Sequence, residues 1–350
     1  MSSALSVREL LRLFDVRKGY LGMYKLLADE SGLKKRCEKY CVVSGFVGSA
    51  DQWDTFNEKW PIMLHKAGVS VFHALEFWKR ADKDGVICRP EPYTKWKESD
   101  DVAFIRSLLD VVTQANLRPV SMAVDIDLFL SLSHDERRWL TTSSLYDKNW
   151  DQRGKPDDPW FFAFREPILS ATHFVPEGDK LYPVFADRDS PDRKKKPVQT
   201  KARELYREIL AVSVVGREKL ADTFTFSTPE EIVGLQAADL LANRVRIYVG
   251  TGLGQGEVAT LIRAFLESDR IYMRVANAID LDRRLRSCPF RSSFWNIDNF
   301  RSAEPDYLEK LRGSGVKVLA AKHPRLGRYY SHHLLEEKVR SIFKFDREGD

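Results

Sequence analysis

Tyr24-Lys25-Leu26-Leu27-Ala28-Asp29-Glu30-Ser31-Gly32 is a short apolar run that stops on two adjacent carboxylates, a hydroxyl and a glycine. Carboxylates at the end of a buried segment are partly desolvated, so ionising both costs free energy unless a cation or hydrogen-bond donors stand near. Three more acids occupy comparable places: Glu76 in Phe72-His73-Ala74-Leu75-Glu76-Phe77, Asp187 after Lys180–Ala186, and Asp239 within Leu235-Gln236-Ala237-Ala238-Asp239-Leu240. Carboxylate oxygens suit hard cations such as Mg²⁺ or Mn²⁺. Two such ions about 3.5–4 Å apart activate a water and stabilise the leaving oxygen in phosphodiester hydrolysis.

Each acid also has a plainer reading. Asp, Ser and Gly are ordinary turn residues, so Asp29 to Gly32 also reads as a solvated strand end. Asp239 sits among small and apolar residues where an unpaired charge is expensive, yet helix acids commonly face solvent. His73, three residues before Glu76, has the chemistry to orient that carboxylate, move a proton or bind a metal, or to be a satisfied, half-buried histidine. Gln236, three residues before Asp239, is a further accessory candidate, as is Glu30.

These residues need elements to position them, and the pattern supplies an α/β rhythm. Met23 to Ala28 reads as a strand, and the β-rich run Tyr40 to Val47 makes it half of an antiparallel hairpin. A helix opens at Ser49 and runs through Trp53, Phe56, Trp60 and Leu64, with Pro61 predicting a kink or early end. Val69 to His73 is extended, Val102 to Val112 is helical, and Arg118 to Phe129 is a strand carrying Asp125 and Asp127. Trp160 to His173 reads as a buried helix, Lys180 to Ala186 as a strand, Lys201 to Val215 as a helix and Thr223 to Ser227 as a short strand. Pro229 is placed to start the helix that carries Asp239. The last hundred residues read as helical and basic, after a flexible joint at Gly250 to Gly256. Ser6 to Phe14 reads as a short amphipathic leader helix.

At 350 residues, the chain fits one large domain with an appendage, or two domains. Its 43% hydrophobic and 31% charged residues exclude a disordered chain, and the net charge of +5 is modest. Cys37, Cys41, Cys88 and Cys288 show neither C-x-x-C spacing nor a disulfide framework suited to a chain of this length, which fits a reducing cytoplasm. No run of about 18 consecutive apolar residues occurs, and Met1 to Tyr20, with Arg8, Glu9, Arg12, Asp15, Arg17 and Lys18, reads unlike a secretory signal. The run Arg188, Arg193, Lys194, Lys195 and Lys196 follows Asp187 directly and would neutralise nucleic-acid phosphates, or simply form a solvated face. Arg283, Arg284, Arg286, Arg291 and Arg301 near Phe290 and Trp295 fit a nucleic-acid strand or a packing face equally. His332-His333 lacks zinc-ligand partners and reads as surface.

The motifs Asp29-Glu30-Ser31-Gly32, Ser44-Gly45-Phe46-Val47, Phe72 to Phe77, Val184-Phe185-Ala186-Asp187-Arg188 and Leu235 to Leu240 resemble those of the domain of unknown function 3800 family, a distant branch of the ribonuclease H-like superfamily. The resemblance spans roughly residues 20 to 250. It implies an α/β fold with a ribonuclease H-like mixed sheet flanked by helices, Asp29 on the opening strand, Asp187 on a later one and Asp239 on the helix over the site. Glu76 would be the fourth acid, with Glu30 its rival. The resulting expectation is a leader over residues 1–19, a ribonuclease H-like domain over 20–250 and a helical extension over 251–350.

The function expected is a Mg²⁺- or Mn²⁺-dependent nuclease with Asp29, Glu76, Asp187 and Asp239 as metal ligands. The alternatives are a non-catalytic scaffold binding nucleic acid, and one binding a protein partner through the C-terminal helices.

Overall fold

The computed structural model describes residues 23–32, 39–79, 89–142, 158–187, 198–212, 218–268, 271–276, 281, 284, 318–323 and 327–332. The expected leader helix and the basic run from Arg188 through Lys196 lie outside the described residues.

The centre of the molecule is a strand pair. Strand β1 (Met23–Ser31) lies antiparallel to β2 (Tyr40–Ser49), with Asp29 opposite Ser44. Residues Cys41 to Gly48 of β2 are all buried, the pattern of a strand covered on both faces. Strand β3 (Arg118–Asp125) continues the antiparallel meander beyond β2. On the other side β4 (Lys180–Ala186) pairs parallel to β1, and β5 (Thr225–Ser227) parallel to β4. Strand β6 (Tyr272–Ala276) pairs parallel to β3, giving the order β5-β4-β1-β2-β3-β6. The protein is therefore α/β, with a six-stranded mixed sheet flanked by helices.

Side chains alternate between the faces, so each face has its own core. On one face Leu26, Ala28, Val43, Met122 and Phe185 pack with α6 (Pro159–Ala171) and α7 (Val198–Val212). On the other, Leu27, Val42, Phe46 and Val184 pack with α1 (Ala50–Lys66), α3 (Glu98–Gln114), α8 (Gly234–Gly250) and α9 (Glu257–Leu266). The short α2 (Ala74–Phe77) lies against α8. Helices α4 (Ile126–Ser131) and α5 (His134–Thr142) follow β3.

Local chemistry explains several boundaries. Ser49 and Gln52 form a reciprocal capping box that starts α1. The helix then buries Trp53, Phe56, Trp60 and Leu64 and runs through Pro61 to Lys66, so the proline does not end it early. Strand β1 runs three residues past the expected Ala28 because Asp29, Glu30 and Ser31 pair with Ser44, Val43 and Val42. Val69 to His73 is irregular, not extended; its Phe72 N–H is taken by a side chain and not by a ladder. Strand β3 stops at Asp125, whose Oδ1 accepts the Leu128 N–H and caps α4, leaving Asp127 on a helix.

Two larger expectations need correcting. The helix bearing Asp239 begins at Gly234 and not at Pro229, because residues 228–233 form turns, with the Ile232 N–H bonded to the Thr228 carbonyl. The C-terminal region expected to be helical carries strands: β6 extends the main sheet, and β7 (Val318–His323) pairs with β8 (Gly327–His332) as a separate hairpin. Edge pairing to β3 supplies β6 with a partner that its own five residues do not announce.

Two buried charge groups stiffen the layers. Arg89 and Asp101 form a two-point ion pair at 3.1 and 2.7 Å. Buried Glu166 on α6 meets Arg284 at 2.9 Å, Arg274 at 3.5 Å and Arg165 at 3.9 Å. Arg284 thus serves the packing reading of the C-terminal arginines, and its guanidinium also lies over the Phe162 ring. Among the described residues, no helix is long and apolar enough to cross a membrane.

Candidate functional site

The motif Asp29-Glu30-Ser31-Gly32 distributes its four residues to four tasks. Asp29 and Ser31 share a strand face with Leu27, the face on which α8 packs. Glu30 points the other way, where its Oε2 accepts the Trp160 indole N–H of α6 at 3.1 Å. Glu30 is therefore placed on the opposite side of the sheet from Asp239. Ser31 Oγ accepts from Arg246 Nε of α8 at 2.9 Å. Gly32 has φ +101°, and a Cβ there would stand 2.0 Å from the Tyr40 carbonyl oxygen and 2.9 Å from Arg246 Cδ.

Helix α8 runs alongside β1. Gly234 stands over Leu27, where an added Cβ would come within 2.3 Å of Leu27 Cδ1. Twelve residues later, Arg246 reaches Ser31. Between those anchors the helix rises about 18 Å and the strand about 13 Å. Asp29 lies between Leu27 and Ser31 on the strand, and Asp239 between Gly234 and Arg246 on the helix.

Asp239 also ties two helices together. Its Oδ2 accepts the Ala74 N–H at 2.8 Å, capping α2, whose own N-cap residue His73 offers no side-chain bond. Through the link, α2 brings His73 and Glu76 beside α8. Glu76 is exposed, and its charge adds to burial in raising the Tyr93 phenol well above its ordinary range, with Arg89 opposing.

His73 faces Glu230, with Nε2 3.8 Å from Oε1. Glu230 is held below its ordinary value of 4.5, first by its own backbone N–H, then by Thr228 and by the charge of His73. Next to it, Glu231 accepts from Ser227 Oγ at 2.7 Å at the end of β5. Asp187 lies directly after β4; its N–H donates to the Ser227 carbonyl at 2.7 Å and its Oδ1 accepts from Gln199 of α7 at 2.8 Å. The C-terminal ends of the parallel strands β1, β4 and β5 thus carry acids from different parts of the chain.

Gln236 is a structural centre of this region. It is buried; Oε1 accepts from Trp60 Nε1 at 3.2 Å and Phe72 N at 3.0 Å, while Nε2 donates to the Pro229 carbonyl at 3.0 Å.

Several residues here carried no sequence signal. Ser44 and Ser121, register partners of one another, are buried and share a 2.5 Å hydrogen bond, forming a polar row with Asp29 across three strands. Buried Asn243, one turn beyond Asp239, accepts from Arg244, whose guanidinium lies 3.6 Å from the Trp78 ring centroid. Spacing on α8 was the available clue, since Gln236, Asp239, Asn243 and Arg246 fall on one side of a helix.

Asp29 and Asp239 carry carboxylate oxygens, the donor type that hard cations take, on a strand and a helix that pack together. Asp187 is turned toward α7, and Glu76 stands on the exposed side of α2. Among the described residues, no group of three or more His, Cys, Asp or Glu side chains is assembled closely enough to hold a metal.

No protein-family model matches the chain, and comparisons with curated proteins and with solved structures likewise return no match.

Proposed function

We propose that the chain is a ribonuclease H-like phosphodiesterase acting on nucleic acid, with Asp29 and Asp239 as the central pair of a Mg²⁺ or Mn²⁺ site. The observation that carries this reading is the sheet itself. An antiparallel β1-β2-β3 meander with β4 and then β5 added parallel to β1 places Asp29 late on the first strand, Asp187 directly after the fourth and Asp239 on a helix crossing beside β1.

In this reading Asp187 and Glu76 complete the acid set, and Arg188, Arg193 and Lys194 to Lys196 meet substrate phosphates. A divalent ion held there would supply Lewis acidity toward a phosphoryl oxygen. The protein's own part is to hold Asp29 on a paired strand, to fix Asp239 through the Ala74 N–H, and to lock α8 through Gln236.

The test is Mn²⁺ titration calorimetry together with oligonucleotide hydrolysis, on wild type and Asp29→Asn. Saturable binding and cleavage in wild type, both lost in a folded Asp29→Asn protein, are the expected outcome. Cleavage that survives Asp29→Asn would sink the site assignment.

A second reading is a non-catalytic scaffold of the same shape. It is favoured by the internal hydrogen bonds of the acids, Asp239 to Ala74 and Asp187 to Gln199. Oligonucleotide binding without any Mn²⁺ uptake would select it.

A further inference from the structure

We propose that Tyr93 is a positioning residue of the candidate site: its buried phenol O–H is the donor that receives the Glu76 carboxylate and fixes it when Glu76 turns in to join Asp29 and Asp239 around a divalent cation. The inference rests on the metal-site reading above and assigns a role to a residue outside the acid set.

The starting observation is a hydroxyl from which folding gains nothing. Tyr93, in the short 3₁₀ turn Tyr93–Lys95, is 2% exposed, and its Oη has no hydrogen-bond partner among the described residues. A buried hydroxyl without a partner costs folding free energy, whereas phenylalanine would fill the same space without that cost. The ring stands edge-on to Phe77 at 5.2 Å and to Trp96 at 5.0 Å, and lies 6.4 Å from Phe104. None of these three side chains carries an acceptor. Arg89, whose guanidinium lies 5.6 Å from the Tyr93 ring centroid, adds a second buried donor without a partner at Nε. Its terminal nitrogens engage the Asp101 carboxylate at 3.1 and 2.7 Å. The enclosure thus holds two donors in search of an acceptor.

Glu76 is the carboxylate placed to supply it. It directly precedes Phe77, the ring against which Tyr93 packs, and its charge reaches the phenol. Burial first, and then Glu76, hold Tyr93 well above its ordinary range, with Arg89 opposing. The phenol therefore keeps its proton and meets a carboxylate as a donor. Glu76 is exposed and makes no hydrogen bond or ion pair among the described residues, so its side chain turns without breaking a bond. The backbone beneath it is fixed, since Ala74 at the start of the same helix gives its N–H to Asp239 at 2.8 Å. One Glu76 oxygen on the Tyr93 O–H leaves the other for the cation, the way a hydrogen-bonded carboxylate ligand is oriented by the shell around it. The same movement satisfies the orphaned hydroxyl.

The experiment uses the full chain and two readouts, the urea midpoint of the metal-free protein and Mn²⁺ affinity by calorimetry. The proteins are wild type, Tyr93→Phe, Glu76→Gln, the double variant and Asp29→Asn. Metal-free Tyr93→Phe should be at least as stable as wild type, because the hydroxyl it loses has no partner there. Its Mn²⁺ affinity should nonetheless fall roughly tenfold. Glu76→Gln should weaken Mn²⁺ binding at least as much, and adding Tyr93→Phe to it should change affinity less than about twofold, the non-additivity of two residues acting as one. A lower urea midpoint for Tyr93→Phe shows that water or protein already serves the hydroxyl and overturns the proposal. Wild-type Mn²⁺ affinity in Tyr93→Phe or in Glu76→Gln overturns it too, as does a full second loss in the double variant. Each of these failures leaves the metal site standing where Asp29→Asn abolishes Mn²⁺ binding, whereas no Mn²⁺ uptake by wild type rejects the site and the role of Tyr93 together.

Discussion

Gln236 accepts the indole N–H of Trp60 through Oε1 at 3.2 Å, although the two residues are 176 positions apart. The same oxygen takes the Phe72 N–H, and the amide nitrogen reaches Pro229. One buried amide therefore joins α1, the segment before α2, the turn after β5 and α8.

Replacing Gln236 by Leu keeps the size and strands two buried N–H donors and one carbonyl. Each unpaired buried group costs about 1–3 kcal/mol, so urea unfolding of Gln236→Leu should show a loss of at least about 2 kcal/mol. A loss below about 0.5 kcal/mol would mean that water serves these groups instead.

Gly32→Ala should be similarly costly for a different reason. The alanine Cβ meets the Tyr40 backbone oxygen at 2.0 Å, which has no side-chain freedom to yield, and φ is in the left-handed region. Destabilisation of about 1–3 kcal/mol is expected from denaturant midpoints.

Asp239 separates charge from structure. Asp239→Asn keeps an oxygen that accepts the Ala74 N–H, so its thermal midpoint should stay within about 2 °C of wild type while Mn²⁺ binding disappears. Asp239→Leu removes the acceptor and should cost about 1–3 kcal/mol besides. Unaltered Mn²⁺ binding by Asp239→Asn would remove Asp239 from the proposed ligands.

Glu230 yields a pH prediction. Its folded-state pKa is lowered, first by its own N–H and then by Thr228 and His73. The stability this contributes is present above the unfolded value near 4.5 and lost as pH falls through the lower folded value. Thr228→Val removes one donor, so NMR titration of Glu230 should show its pKa moving up toward 4.5. An unmoved titration curve would assign the depression to the backbone and His73 alone.

Much of the helix and strand order is legible in the chain because it depends on local periodicity. Trp53, Phe56, Trp60 and Leu64 recur at helical spacing and lie buried on α1, and the Tyr40 run pairs with β1 as a hairpin. The short β6 was not legible, since five residues acquire strand character only by pairing with β3. Pro229 was a misleading start signal, because the close packing of Gly234 on Leu27 and Trp53, and not local propensity, places the beginning of α8.

At the candidate site, residue types alone marked Asp29, Glu76, Asp187 and Asp239, with Glu30 the rival of Glu76 as fourth acid. Pleating sends the adjacent Asp29 and Glu30 side chains to opposite faces, Glu30 to Trp160 and Asp29 to the side of α8. The partnerships of Arg246 with Ser31, Asp239 with Ala74 and Gln236 with Trp60 join residues far apart in the chain. They exist only where the sheet register and the path of α8 bring them together, so identity and spacing name the groups and packing chooses their partners.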